Sequence, residues 1–195
     1  MTNRASTTGA IFALLATLLI ASTVPCAVAS AGDPILAFNQ TFVLYSDAYS
    51  SYCIVTGAPA RLSCNVGVLE PSSGTPMILA NGTGNVPSAP TTNLQIVALT
   101  PCAPGGAGYC VAPVGGSVHT FICNSTVPIT SQSSFAVVNV KPFADGYLHV
   151  GASEVAILSH NTGFCTAAPM TSNGGYVNCG ASSVGNLEMF HIVPL

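Results

Sequence analysis

"SYCIVTGAPARLSCN" (residues 51–65) holds an aromatic residue beside a cysteine, a gap rich in turn formers, and an apolar residue close to a second cysteine. The same order recurs in "GYCVAPVGGSVHTFICN" (108–124) and in "GFCTAAPMTSNGGYVNCG" (163–180). Aligned on their first cysteines, the copies stand 57 and then 55 residues apart. A fixed period of this size marks a repeated supersecondary unit that buries its apolar face only against its neighbours. Three units of about 55 residues span nearly all of the chain beyond residue 29.

Within each copy the two cysteines are separated by 11, 13 and 14 positions, and the gap contains Gly57 and Pro59, Gly115 and Gly116, or Asn173, Gly174 and Gly175. Such a segment reads as a hairpin whose arms bring the cysteines within disulfide reach. The pairs expected are Cys53 with Cys64, Cys110 with Cys123, and Cys165 with Cys179. Each closure stabilises the fold by about 3 kcal/mol on the chain-entropy model. Cys102 is then the odd thiol, free or bridging two molecules. A competing pairing joins Cys102 to Cys110 across "APGGAGY" and strands Cys123.

Each unit opens on an apolar run, "TFVLYS" (41–46), "LQIVAL" (94–99) or "EVAILS" (154–159), and closes on another, "PMILA" (76–80), "SFAVVNV" (134–140) or "EMFHIVPL" (188–195). With the two cysteine arms between them, every unit reads as four short strands punctuated by Gly, Pro, Asn and Ser. No window beyond residue 30 carries helical periodicity. A further strand-like piece, "ILAF" (35–38), has a counterpart in "LHVG" (148–151). The corresponding stretch of the middle unit is expected at "APTTN" (89–93), which is polar and leaves that feature incomplete.

Residues 1–29 combine Arg4, the apolar run "AIFALLATLLIAS" and the small residues "AVA" at 27–29, the order of a secretory signal peptide. The run is too short and one-sided for a comfortable membrane span, and no later stretch approaches spanning length. Pro25 before Cys26 removes the likeness to a lipoprotein cleavage site. Cleavage after Ala29 leaves residues 30–195 as one domain, with repeats at about 34–84, 85–140 and 141–195. Of the eight cysteines, the seven beyond Ala29 contain no Cys-x-x-Cys and fit an oxidising compartment rather than a redox dithiol or zinc knuckle.

Beyond the leader the basic residues are Arg61 and Lys141, against Asp33, Asp47, Glu70, Asp145, Glu154 and Glu188. Two cations cannot neutralise a phosphate backbone, which excludes nucleic-acid binding and anionic membranes as partners. So few charges give little protection against association. Glycans supply it instead at the sequons Asn39-Gln-Thr, Asn81-Gly-Thr and Asn124-Ser-Thr.

Three units of four strands resemble the β-trefoil, a six-stranded barrel built from the first and last strands of each unit and capped by three hairpins built from the middle pairs. That resemblance implies an all-β chain in which "FVLY", "IVAL" and "VAIL" line the barrel. The stretch "GGYVNCGASSVGNLEMFHIVPL" (174–195) is similar to the closing strands of trefoils of the fascin-like and actin-crosslinking type. Actin binding is not carried over to a leader-bearing, nearly uncharged chain. Ricin-type lectins place a Gln-x-Trp in each repeat, and this chain has no Trp. The architectural rival is a Greek-key β-sandwich, which explains the strands but not the threefold spacing.

No nucleophile elbow, His-Glu-x-x-His or glycine-rich phosphate loop is present. His119, His149, His160 and His191 are scattered without metal-ligand spacing, so no metal or cofactor is expected. The chain reads as non-catalytic. Binding is better motivated, because "LYSDAYSSYC" (44–53) clusters Tyr45, Tyr49 and Tyr52 around Asp47. Aromatic faces beside a carboxylate suit a neutral sugar. Tyr52 aligns with Tyr109 and Phe164 and reads as structural, so Tyr49 is the exposed candidate, with Asp47. A secreted carbohydrate-binding or cell-surface adhesion protein is the leading expectation, with a glycan or an extracellular protein surface as partner. The alternatives are a wall, coat or filament protein that self-associates, and a Kunitz-like protease inhibitor using Arg61, otherwise an ordinary solvated side chain.

Overall fold

The computed structural model describes residues 34–57, 59–99, 108–112, 120–124, 133–141, 144–151, 154–169 and 175–195. The signal peptide, His119 and Cys102 lie outside these residues. Among them run thirteen strands and only single 3-10 turns besides. The first unit contains β1 (Phe42–Ser46), β2 (Ser51–Tyr52), β3 (Ile54–Thr56), β4 (Arg61–Ser63) and β5 (Met77–Ala80), β2 and β3 being one strand interrupted at Cys53. The second contains β6 (Gln95–Ala98), β7 (Gly108–Val111), β8 (Ile122–Asn124) and β9 (Phe135–Asn139). The third contains β10 (Glu154–Ser159), β11 (Gly163–Thr166), β12 (Asn178–Ala181) and β13 (Phe190–Pro194).

The outer strands of the three units close on themselves. β1 pairs with β13 and β5, β5 with β6, β10 with β9 and β13, all antiparallel. The bridge between Leu94 and Phe135 joins β6 to β9 and completes a ring of six. Strand alternation then decides what lies inside. Phe42 and Leu44, Met77 and Leu79, Ile96 and Ala98, Phe135 and Val137, Val155 and Ile157, and Phe190 and Ile192 point inward and form one core cluster. The runs that open each unit thus line the barrel through alternate residues.

The inner strands form the hairpins β3–β4, β7–β8 and β11–β12. Disulfides Cys53–Cys64, Cys110–Cys123 and Cys165–Cys179 staple them, so Cys110 bonds across its own hairpin and not to Cys102. In the last two hairpins the bonded cysteines are direct register partners. The half-cystines are buried in the same cluster as the barrel side chains, which joins cap to barrel through one core.

Both ends of the barrel are closed by cyclic backbone hydrogen bonds. At the lower end the Leu36 N–H donates to Leu148 O (2.8 Å), the Leu148 N–H to Val86 O (2.9 Å), and the Val86 N–H to Leu36 O (2.8 Å). At the cap end the Leu62 N–H donates to Phe121 O (3.1 Å), the Phe121 N–H to Val177 O (2.8 Å), and the Val177 N–H to Leu62 O (2.7 Å). All six side chains are fully buried. Each ring takes one residue from each unit, which is a pseudo-threefold axis written in main-chain atoms. The architecture is a β-trefoil. A two-sheet sandwich has no such rings.

The lower ring corrects one expectation. The middle counterpart of "ILAF" and "LHVG" is Asn85–Val86–Pro87, not residues 89–93: Ala37 bridges Asn85, and Pro87 bridges Tyr147. One buried valine between two polar or turn-forming neighbours is enough, because the ring needs a single N–H and C=O from each unit.

Candidate functional site

Of the residues singled out from the sequence, Tyr45, Tyr52 and Asp47 meet on the outer wall of the barrel. Leu44, Ile192 and Val155 point into the core, so the residues alternating with them face outward. In register, Tyr52 of β2 stands opposite Tyr45 of β1, Tyr45 opposite His191 of β13, and His191 opposite Glu154 of β10. Directly opposed residues share a face. The result is one row across four adjacent strands, Tyr52, Tyr45, His191 and Glu154. Lys141 reaches Glu154 at its far end (3.5 Å).

Tyr45 is half-buried and meets the Tyr52 ring edge-on, with centroids 4.9 Å apart, and the His191 ring at 6.2 Å. Edge-to-face contacts of this kind add about 0.5–1.5 kcal/mol beyond area burial. After β1 the chain turns through the 3-10 segment Asp47–Tyr49, released by Ser50 in the left-handed region (φ 47°). That turn swings the Asp47 carboxylate back over the row, where it accepts a hydrogen bond from His191 Nε2 at 2.5 Å. His191 is buried and the Asp47 side chain is 42% exposed, so the pair presents its carboxylate end to solvent.

Burial pushes the Tyr49 hydroxyl above its ordinary range. Burial also raises Tyr52, helped by the neighbouring Tyr45 and Glu70 charges. Both phenols therefore stay protonated at neutral pH and can donate as well as accept hydrogen bonds. The segment before β5 borders Tyr52, whose N–H donates to Val68 O, and it carries the highly exposed Leu69. The wall thus offers aromatic edges, protonated phenols, a carboxylate braced by imidazole, and an apolar rim.

Ser46, the nearest hydroxyl in sequence, follows Tyr45 and so faces the opposite side of β1 from His191. The Ser51 hydroxyl is engaged with Tyr52 O and the Val68 N–H. Among the described residues no group of His, Cys, Asp and Glu is placed to hold a metal ion.

Tyr49 departs from its expected exposure, being half-buried and packed against the core cluster because the 3-10 turn folds its ring inward. Tyr52 is buried. His191, unremarkable in the sequence, is the partner that organises Asp47. Only the pairing of the first barrel strand with the last brings together residues 144 positions apart. Arg61 is not an ordinary solvated side chain: it lies in β4 between β3 and β8, half-buried, with its guanidinium 5.0 Å above the Tyr176 ring. Asn39 and Asn81 are exposed at the lower end, both in the left-handed region (φ 63° and 72°). They are neighbours, since the Asn39 N–H donates to Leu79 O and the Phe38 ring occupies the space where a Cβ on Gly82 would stand.

No protein-family model and no curated protein matches the sequence. Solved structures do match at the level of fold. The receptor-binding domain of botulinum neurotoxin D superposes with TM-score 0.59 at 12% identity, over 82% of this chain and 41% of that one. The ligand-binding domain of the same serotype in complex with N-acetylneuraminic acid gives 0.58 at 11% identity, over 82% and 42%. Lysenin in complex with phosphocholine gives 0.59 at 9% identity, over 84% and 47%. This chain therefore spans about half the length of the structures it matches, or less. At such identities the likeness carries the trefoil and nothing about individual residues.

Proposed function

We propose that the chain is a non-catalytic carbohydrate-binding protein that acts outside the cell, with the wall of Tyr52, Tyr45, His191 and Asp47 as its sugar-binding surface. The observation that carries this reading is the 2.5 Å Asp47–His191 pair, its carboxylate end exposed, set beside the half-buried Tyr45 ring on the outward side of the barrel strands. A pyranose lays its apolar C–H face on an aromatic ring and hydrogen-bonds its hydroxyls to charged and amphoteric groups, which are the groups this wall holds. Solved trefoils bound to N-acetylneuraminic acid and phosphocholine support a binding role by analogy of fold.

The extracellular setting rests on the leader of residues 1–29, a single domain at 30–195 with its three repeats, and disulfides that suit an oxidising compartment. No helix among the described residues is long and apolar enough to cross a membrane. Asn39 and Asn81 are sterically open to modification, and Asn124 completes the set of sequons. The inhibitor alternative gains nothing from Arg61, which is held in a strand paired on both sides rather than presented on a loop.

A glycan array probed with the purified protein tests the reading. Binding to neutral saccharides is expected, falling about tenfold in Asp47→Asn, the loss of one charge-assisted hydrogen bond. A flat array, or binding indifferent to both Asp47→Asn and Tyr45→Ala, would overturn it.

A further inference from the structure

The chain has two cations beyond residue 29, and they are used differently. Lys141 is exposed and pairs with Glu154. Arg61 forms no ion pair among the described residues, whose pairs join Lys141 to Glu154, His149 to Asp145 and His191 to Asp47. The Arg61 guanidinium rests on Tyr176, and its Nε is buried without a hydrogen-bond partner.

The surroundings are set by the cap-end ring. Leu62, Phe121 and Val177 point into the core, so the residues on either side of each point the other way, around the axis on the outer face of the cap. These are Arg61, Ser63, Thr120, Ile122, Tyr176 and Asn178, joined as the pairs Arg61 with Ile122, Thr120 with Asn178, and Ser63 with Tyr176. Apart from Ser63, which is buried, all are half-exposed. Asn178 donates its amide to Tyr176 O, while its Oδ1 is buried without a partner. One end of the molecule thus holds an orphaned donor on a cation and an orphaned acceptor on an amide. Buried polar groups left unpaired are costly and rare, and a missing ligand is one reason for them.

We infer that this end of the cap is a second binding site, separate from the tyrosine wall, for the carboxylate-bearing end of an acidic saccharide. A carboxylate matches the planar guanidinium fork and compensates its charge. A sugar acid, unlike a bare anion, also brings hydroxyls and a C–H face to the half-exposed Asn178 side chain beside the guanidinium. The Thr120 hydroxyl and the Ile122 side chain complete a surface with both polar and apolar contacts. With Arg61 as the one cation of this surface in a net negative chain, recognition is short-range and local.

Calorimetric titration of the intact disulfide-bonded protein with methyl β-glucuronide, methyl β-glucoside and acetate tests this. The glucuronide is expected to bind at least about tenfold more tightly than either of the others, the difference one charge-assisted contact confers. Arg61→Gln should erase that preference, and Arg61→Lys should retain part of it. If Arg61→Gln fails to fold, Tyr176→Leu removes the shelf under the guanidinium and should selectively weaken glucuronide. Equal binding of glucuronide and glucoside overturns the proposal, as does a preference that survives Arg61→Gln. Acetate binding as tightly as the glucuronide overturns the saccharide assignment. Glucuronide binding that falls with Asp47→Asn but not with Arg61→Gln places the acid on the tyrosine wall and sinks this site.

Discussion

The two ends of the barrel solve the same problem with different means. Each is sealed by a ring of three main-chain hydrogen bonds around three buried side chains. The lower ring joins short bridged segments that run on into barrel strands of four to six residues, with no disulfide there among the described residues. The cap ring is carried by hairpins whose strands are three or four residues long, each stapled by a disulfide. An isolated hairpin of that length is marginal in water. The staples therefore stand where strand length fails, and the lower end relies on pairing on both sides.

Removing a staple is the most direct way to break this contrast. The double substitution Cys110→Ala with Cys123→Ala is expected to cost about 2–5 kcal/mol, read from the denaturant midpoint. Amide exchange should then rise at the cap ring before it rises in β1, β10 and β13. Equal loosening of both ends would defeat the assignment of the staples to the cap.

Truncating the rings themselves sharpens the comparison at smaller scale. Phe121 contacts Phe135 of β9 at 5.1 Å and so ties the cap to the barrel wall. Phe121→Ala should cost about 3–5 kcal/mol. Val86→Ala in the lower ring should cost about 2 kcal/mol, the transfer of two methyl groups with a small cavity term. Chemical denaturation of the two variants gives the ratio.

The weakest probes are protons, and they act on the ends from opposite sides of neutrality. Tyr49 and Tyr52, beside the cap, have raised hydroxyls, so the neutral form is favoured on folding. Their contribution is complete below about pH 10, the unfolded value, and is lost as pH rises through the folded values. Asp145, at the lower end, is held below the ordinary carboxylate range by the Tyr147 N–H and then by His149. Its contribution is present above about pH 3.9 and is lost as pH falls through the lower folded value. Amide exchange against pH should therefore loosen the tyrosine wall first in alkali and the 144–149 turn first in acid. Tyr147→Pro, which deletes the donor, should move the Asp145 carboxyl back up, as read by NMR titration.

Much of this architecture is legible in the residues because the signals are local and repeated. Cysteines flanking a turn meet most readily across that turn, and strand runs at constant spacing define the units. The lower ring is harder to see. A unit contributes one N–H and one C=O there, and Val86 between Asn85 and Pro87 leaves no pattern for periodicity to find. The site divides along the same line. Asp47 and its tyrosines are contiguous and stand out, while His191 comes from the far end of the chain. Tyr49 misleads because exposure in a turn depends on which way a 3-10 segment rotates the ring, which composition does not encode. Arg61 misleads because its shelf, Tyr176, belongs to another unit.

The rings have an implication for chain connectivity. A cyclic set of three equal partners contains no first member, and the pairing of Phe42 with Pro194 already places the first and last barrel strands side by side. A circular permutant joined across that seam and opened between the first and second units should close the same two rings, since the order of synthesis leaves no trace in the contacts that seal the barrel.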